Sequence, residues 1–421
     1  RRSATVVMRN TRDPNVAIYL NDPDQRVASD AARAIHDDLS IPKALDSLAR
    51  TLGKDNDADA AHLRRAISAN LRVGNAQCAM RLAAYAASEN APEEMRIEAI
   101  KTLSQWTNPD RLDRVQGWHR GLDPRNSTEV HHSLNLHLGA LLTSSSKAVQ
   151  ASTTAMIKRL NYGNATERVS KLALNPNTNA AVRASSLTAM AALKAPELTK
   201  AINLGLKSKS PQLRMAAREA ILDPVSQIEQ VKWASRAGTL AEKQHAIALA
   251  ASINTTQSAP LIKSWLTALI KGTAPADLAL DIYMAASNHE ATLEETKKYT
   301  STLPAEKGGA LALALQGGDP EKGRDIFHTS VTGQCMRCHR VGNSSSTSIA
   351  TAEVGPDLTT VGSRRDREYL LRALLNPSAD IDPNQLREGQ PANLSVMPPM
   401  AGLLKPKEIR DLVAYLASLK Q

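Results

Sequence analysis

Segments of similar sequence recur along the first part of the chain, at a regular spacing that limits the folds open to it. Val182, Leu213 and Gln244 begin three such segments at equal intervals. Each follows a short polar turn and leads into an Ala-rich amphipathic stretch. Earlier copies begin at three further positions, namely Val27, Met95 and Val149. This pattern predicts stacked helix pairs, because one pair of helices cannot bury its apolar face alone.

The composition also favours helices. Only 3% of the residues are aromatic, whereas β-propellers and β-sandwiches depend on aromatic and β-branched side chains in their cores. Small Ala side chains at helix contacts allow close packing. The repeats resemble HEAT or armadillo arrays, although their period of about 31–34 residues is short for HEAT repeats. We therefore predict an all-α fold that begins with an α-solenoid of HEAT-like helical repeats, with an irregular helical bundle as the alternative.

The net charge is +10, and nearly all of it lies in residues 1–317. Basic residues do not form a dense block and do not alternate with aromatic residues, so we expect no nucleic-acid partner. A mildly basic surface suits an acidic partner, or none in particular. No apolar run approaches the roughly 18 residues that a membrane span needs, so we expect no transmembrane segment. The chain starts Arg1-Arg2-Ser3 without a signal segment, and we expect residues 1–15 to be the N-terminal remnant of a longer chain.

The most specific motif is Cys335-Met336-Arg337-Cys338-His339. Two thiols three positions apart, followed at once by His, form the attachment motif of a c-type haem. The short loop lets both thiols add to the two vinyl groups of one porphyrin and carries the adjacent His339 under the iron. The pattern predicts one covalent haem c.

Two other kinds of site share part of this motif. A zinc site needs a second pair of ligands, and the one remaining cysteine is Cys78, far away in the sequence. A thioredoxin-like redox pair needs a βαβ context, which the helical pattern lacks. The motif covers only five positions, so the flanking sequence is needed to distinguish a true haem attachment site from a chance match.

The flanking sequence contains four further elements in order. A predicted helix, with Asp319 as N-cap and Pro320 at its first position, carries Gly323 and Phe327. The motif is followed by Gly-Pro at residues 355–356, Met-Pro at residues 397–398, and a final predicted helix that contains residues 412–416. This order resembles class I cytochrome c, and the resemblance covers residues 318–421. It implies that Gly323 and Phe327 pack against Tyr415 and Leu416, where the first and last helices of that domain cross.

The resemblance also implies the roles of the candidate site residues. Cys335 and Cys338 would form the thioethers, and His339 would be the proximal iron ligand. The carbonyl of Pro356 would accept a hydrogen bond from the other ring nitrogen of His339. Met397 is the predicted distal ligand, with Met400 as a competitor and an open or different coordination position as the third alternative.

The combination of repeats and haem motif is similar to the C-terminal half of planctomycete and verrucomicrobial secreted proteins. In those chains a quinoprotein-type sugar dehydrogenase, HEAT repeats and a c-type haem domain follow one another. The motifs that carry this resemblance include residues 354–359 and residues 395–400. We accordingly predict a helical repeat domain at residues 16–305, a linker at 306–317 and a cytochrome c domain at 318–421. The resemblance implies PQQ as the cofactor of an upstream domain.

The first functional hypothesis is a periplasmic or secreted electron-transfer protein, since bacterial haem attachment of this kind takes place outside the cytoplasm. It would accept electrons from a dehydrogenase domain or subunit and pass them to another periplasmic carrier, a cytochrome or an oxidase, with the repeats as scaffold. By itself this segment is not expected to be catalytic. One alternative is a haem enzyme or gas sensor in which Met397 dissociates from the iron. Another is a scaffold that binds a protein or a polysaccharide.

Overall fold

The computed structural model describes residues 1–54, 59–163, 165–253, 256–330, 332–342, 355–379, 381 and 394–420. Within these ranges the secondary structure is helical, and extended pairing is limited to one antiparallel bridge between Leu112 and His119. The all-α prediction is confirmed. Val354, the first residue of one predicted motif, lies outside the described residues. The chain divides into an N-terminal unit, Arg1–Leu222, and a C-terminal unit, Asp223–Gln421.

The N-terminal unit contains twelve α-helices within its described residues. They are α1 (Arg2–Thr11), α2 (Gln25–His36), α3 (Leu45–Ala49), α4 (Ala60–Val73), α5 (Ala76–Ala87), α6 (Glu93–Ser104), α7 (Thr128–Leu142), α8 (Lys147–Arg159), α9 (Ala165–Leu174), α10 (Ala180–Leu193), α11 (Leu198–Leu206) and α12 (Pro211–Glu219).

These helices form a two-layer stack. The even-numbered helices α2 to α12 pack against one another in series, and each also contacts the odd-numbered helix that precedes it in sequence. Pairs of helices therefore share one continuous apolar core. This arrangement is the predicted α-solenoid, in which each layer can bury its apolar face only against its neighbours.

The repeat spacing seen in the sequence has a structural cause. The five repeat positions that lie in this unit are each the third residue of an even-numbered helix, and each is buried: Val27, Met95, Val149, Val182 and Leu213. A polar side chain caps four of these five helices by accepting a hydrogen bond from a backbone N–H of the first turn: Asp24, Ser146, Asn179 and Ser210. The repeat is thus a capped helix start followed by a buried apolar residue.

The C-terminal unit contains nine α-helices within its described residues. They are α13 (Pro224–Ala237), α14 (Leu240–Ile253), α15 (Ala259–Ile270), α16 (Ala279–Ser287), α17 (Leu293–Thr302), α18 (Pro320–Thr329), α19 (Val361–Arg364), α20 (Arg367–Leu375) and α21 (Pro406–Ser418). Helices α13 to α16 pack around one apolar core, and α18 to α21 surround a second. No helix in the described ranges combines the length and apolar character that a bilayer crossing requires.

Helix α18 starts and packs as its sequence predicts. The carboxylate of Asp319 accepts hydrogen bonds from the backbone N–H groups of Glu321 and Lys322, and Pro320 occupies the first helical position. The helix crosses α21 at Gly323, where a Cβ atom would lie 2.0 Å from the carbonyl oxygen of Asp411. A glycine is required here because the two backbones approach so closely.

Residues 306–317 connect the two cores of the C-terminal unit in a compact form. They include a 3-10 helix, Gly309–Leu315, which packs on α16, α20 and α21. Beside it, the buried carboxylate of Asp281 on α16 pairs with Arg410 at 2.5 Å and with Lys407 at 2.9 Å, both on α21. The segment that follows the helical pairs is therefore packed directly against the last helix of the chain.

Candidate haem-binding site

A tight turn positions the attachment motif directly after α18. Gln334 takes the left-handed conformation with φ of 45°, and residues Cys335–Arg337 form a single 3-10 turn. The backbone N–H groups of Cys338 and His339 both donate to the carbonyl of Cys335, at 3.1 and 2.9 Å. These hydrogen bonds close the loop and hold the two thiols and the imidazole on one short segment.

His339 is oriented by the segment that carries Pro356. Its Nδ1 lies 3.0 Å from the carbonyl oxygen of Pro356. A carbonyl can only accept, so Nδ1 carries the proton and the lone pair of the imidazole lies on Nε2. Burial lowers the pKa of His339, although the Pro356 carbonyl works in the opposite direction. Neutral imidazole is the form that ligates metals.

Gly355 allows the Pro356 segment to approach the imidazole. A Cβ atom on Gly355 would lie 2.6 Å from Cε1 and 2.8 Å from Nδ1 of His339. The backbone N–H of Gly355 donates to the carbonyl of Cys338 at 2.9 Å, and that of Leu358 donates to the carbonyl of Arg340 at 2.9 Å. Only a residue without a side chain fits between this segment and the His339 ring.

Asp357 fixes the same segment from its other side. Its carboxylate accepts hydrogen bonds from the hydroxyl and the backbone N–H of Thr359, at 2.5 and 2.8 Å, and from Arg340. The bonds from Thr359 and then from Arg340 lower the pKa of Asp357 to about 2. The hydroxyl of Thr359 in turn accepts from the N–H of Gly342 at 2.8 Å. The Pro356 carbonyl that accepts the hydrogen bond from His339 therefore lies in a turn that these hydrogen bonds hold in place.

The two motif thiols differ from the remaining cysteine in their surroundings. Cys335 and Cys338 are half-buried, and Cys335 packs against the apolar cluster formed by α18 to α21. This burial raises the pKa of the Cys335 thiol to about 11. Cys78 is fully buried in α5 of the N-terminal unit, as a small apolar side chain would be.

The two candidate methionines occupy different environments. Met397 is half-buried and lies against the same apolar cluster as Cys335, whereas Met400 is 3% exposed and belongs to the interior of that cluster. The N–H of Met397 donates to Ser395 Oγ at 3.1 Å, and the N–H of Ser395 donates to Ser378 Oγ at 3.0 Å. The Met397 loop is therefore tied to the turn that follows α20.

The donor set fits a c-type haem. Two half-buried thiols and an imidazole with an anchored Nδ1 lie on one loop, and a thioether lies against the same apolar cluster. Imidazole and thioether are the axial ligands of cytochromes c, and the hydrogen bond at Nδ1 is the outer-shell contact that orients such a ligand.

The sequence analysis named the five candidate residues and the contact between His339 and the Pro356 carbonyl, but not the other contacts around them. The close approach of Gly355 to the imidazole, the turn braced by Asp357 and the Ser378–Ser395 connection were not anticipated. The sequence Gly-Pro-Asp-x-Thr at residues 355–359 does indicate a tight turn, because Gly and Asp-x-Thr are typical of such turns. It could therefore have pointed to the Gly355 approach and to the Asp357 turn. The third joins residues 17 positions apart, across a stretch that is in part outside the described residues.

Comparison with known proteins supports this fit. The cytochrome c family model matches residues 320–420, a segment that contains every candidate site residue. No curated protein and no solved structure matches the chain. Residues 320–420 are therefore a cytochrome c domain, which serves haem-based electron transfer and whose cofactor is a covalently attached haem c.

Proposed function

We propose that the protein is a one-electron carrier in which His339 and Met397 are the two axial ligands of the haem iron. The observation that carries this proposal is the 3.0 Å contact between His339 Nδ1 and the Pro356 carbonyl. It commits the imidazole to ligation through Nε2 and raises its basicity as a ligand. Met397 is half-buried against the same apolar cluster as Cys335, whereas Met400 is buried inside that cluster, and this difference supports the choice of distal ligand.

Each chain element has a defined task in this proposal. Cys335 and Cys338 anchor the porphyrin edge, and Pro356 prevents rotation of the imidazole. With the haem bound, the thioether of Met397 would be the second protein ligand of the iron and would exclude oxygen and peroxide from the metal. Haem iron ligated by imidazole and thioether exchanges single electrons at a potential higher than that of a bis-histidine haem. The protein contributes position, burial and hydrogen bonds.

The proposal includes redox partners and a location. The donor would be a dehydrogenase domain or subunit, PQQ-dependent by resemblance, and the acceptor another cytochrome or an oxidase. A periplasmic or secreted location follows from the attachment chemistry of c-type haem. In this arrangement the helical repeats of residues 16–305 act as scaffold and docking surface, residues 306–317 connect them to the haem domain, and that domain spans residues 318–421.

The ligand assignment is tested with two matched substitutions. We expect Met397→Leu to abolish the sulfur–iron charge-transfer band of the ferric protein and to lower the reduction potential. Met400→Leu, which keeps the volume of a buried side chain, should leave both unchanged. If the band is lost in Met400→Leu and kept in Met397→Leu, the assignment is wrong. If the band is absent from the wild-type protein, the distal ligand is not a thioether.

A further inference from the structure

The charges of the N-terminal unit are distributed unevenly along its stack. Residues 128–222 contain 12 Lys and Arg but only four Asp and Glu, which are Glu129, Glu167, Glu197 and Glu219. Three of these carboxylates lie in the first turn or at the N-cap of an odd-numbered helix, and Glu219 is the last residue of α12. All four therefore lie at the edge where even-numbered helices end.

The opposite edge carries only cations in this part of the stack, as far as its described residues extend. It is formed by the turns that precede α8, α10 and α12 and by the first turns of those helices. We define the basic edge by four cations, which are Lys147, Arg183, Lys207 and Lys209. Lys171 is left out because it is paired with Glu167 at 2.6 Å.

Side-chain hydrogen bonds join the first two of these turns, and α12 packs beside α10. Gln150, near the start of α8, donates to the carbonyl of Ser144 and accepts from Ser185, near the start of α10. Arg183 donates to the carbonyl of Ala173 at the end of α9. The three lysines of the basic edge are exposed. With helix spacings of about 10 Å, the row from α8 to α12 spans about 20 Å.

Toward the N-terminus of the stack, the same edge carries acidic side chains. Asp24 caps α2, Asp59 caps α4, and Glu89 lies in the turn that precedes α6. Glu89 accepts hydrogen bonds from Arg96 and from the hydroxyls of Ser144 and Ser145, so this acidic part adjoins the first basic turn. An anionic ligand that continued along the edge past α8 would meet these carboxylates.

We propose that the basic edge is a docking surface for a compact acidic face of a partner protein. The complementary length is about 20 Å, which suits one protein face. A long duplex or an anionic membrane plane would extend onto the acidic part of the edge. Unpaired nucleic acid needs exposed aromatic side chains for stacking, and the one aromatic residue between positions 128 and 222 is Tyr162, which is 1% exposed. The inference deepens the docking role proposed above for the repeats and is independent of the haem chemistry.

The test uses the full haem-loaded chain and a labelled oligoglutamate peptide of about eight residues, which spans about 26 Å when extended. We expect the peptide to bind at low ionic strength and to be released when added salt shortens the Debye length to below about 10 Å. The triple variant Lys147→Gln, Lys207→Gln, Lys209→Gln should bind it about tenfold more weakly or worse.

A second triple variant controls for the loss of net charge. Lys43→Gln, Lys263→Gln, Lys271→Gln removes the same three charges from exposed positions outside the basic edge and should bind the peptide as the wild type does. Equal weakening in both variants would overturn the proposal, as would absence of peptide binding by the wild type. Duplex DNA and phosphatidylglycerol vesicles are the competing probes. If either binds in a way that depends on the three edge lysines while the peptide does not, the proposal is overturned and the partner is of another class.

Discussion

The crossing of α18 and α21 gives the sharpest prediction about stability, because a side chain of even one carbon atom at Gly323 would clash with the facing helix. In Gly323→Ala the new Cβ would lie 2.0 Å from the carbonyl oxygen of Asp411 and 2.6 Å from Cβ of Tyr415. An ordinary contact begins at 3.4 Å, so the helices would have to separate by more than an ångström. The ring contact between Phe327 and Tyr415, with centroids 5.7 Å apart, lies at the same crossing.

The size of the effect follows from two opposing contributions. Overpacking a core costs typically about 1–3 kcal/mol, and the upper value applies here because backbone atoms cannot rotate away. Replacement of Gly by Ala inside a helix returns up to about 1 kcal/mol. We therefore expect Gly323→Ala to lower the free energy of unfolding by about 2 kcal/mol. With an m-value of about 2.5 kcal/mol/M, this shifts the urea midpoint by about 0.8 M.

The assay is urea unfolding of the full haem-loaded chain, followed at the haem absorption so that it reports on the cytochrome c domain. Gly402→Ala is the matched control, since a Cβ there meets nothing within 4 Å. Its midpoint should stay within about 0.2 M of the wild type. The packing argument is refuted if Gly323→Ala unfolds at the wild-type urea concentration, or if the control shifts as much.

Three further predictions concern other parts of the chain. Gly355→Ala should lower the haem content per chain, measured as the ratio of haem to protein absorbance, because the added Cβ would displace the ring of His339; a wild-type ratio would contradict this. Asp281→Ala should lower the stability of the haem domain by about 3–5 kcal/mol, because it removes the buried carboxylate that Lys407 and Arg410 of α21 share; a urea midpoint equal to that of the wild type would refute it. Burial alone would raise the pKa of Asp37, but the hydrogen bonds of its carboxylate to His36 and Arg65 outweigh burial and lower the pKa to about 2. The ionised Asp37 carboxylate therefore stabilises the fold at pH values above its ordinary pKa, and the free energy of unfolding should fall by about 2 kcal/mol as the pH falls from about 4 to about 2. Urea unfolding across this pH range should show a smaller fall in Asp37→Asn than in the wild type.

Local patterns were sufficient to predict much of the architecture. The interval between Val182 and Leu213 corresponds to one capped, buried helix start in each pair of helices, and the stack is confirmed. The cap at Asp319 and the crossing at Gly323 are confirmed as well. The stack and the cap depend on residues that lie within one helix or on a pattern that recurs along the chain, whereas the crossing joins distant residues and was predicted from the resemblance to class I cytochrome c.

Features that join distant residues could not be predicted in the same way. Nothing in the local sequence indicates that Asp281 pairs with Arg410, which lies 129 positions later. The excess of positive charge was visible in the composition, but its concentration at one edge depends on which turns lie side by side. The contact of Gly355 with His339 likewise depends on how the chain returns after residues 343–354, which are outside the described residues.

The proposed ligation is tested most directly by reductive titration of the full ferric protein at neutral pH, with and without carbon monoxide. If His339 and Met397 occupy both axial positions, each haem takes up one electron and the ferrous spectrum is the same in the presence of the gas. Rapid and complete binding of carbon monoxide would show an open coordination position, and the protein would then be a haem enzyme or a gas sensor.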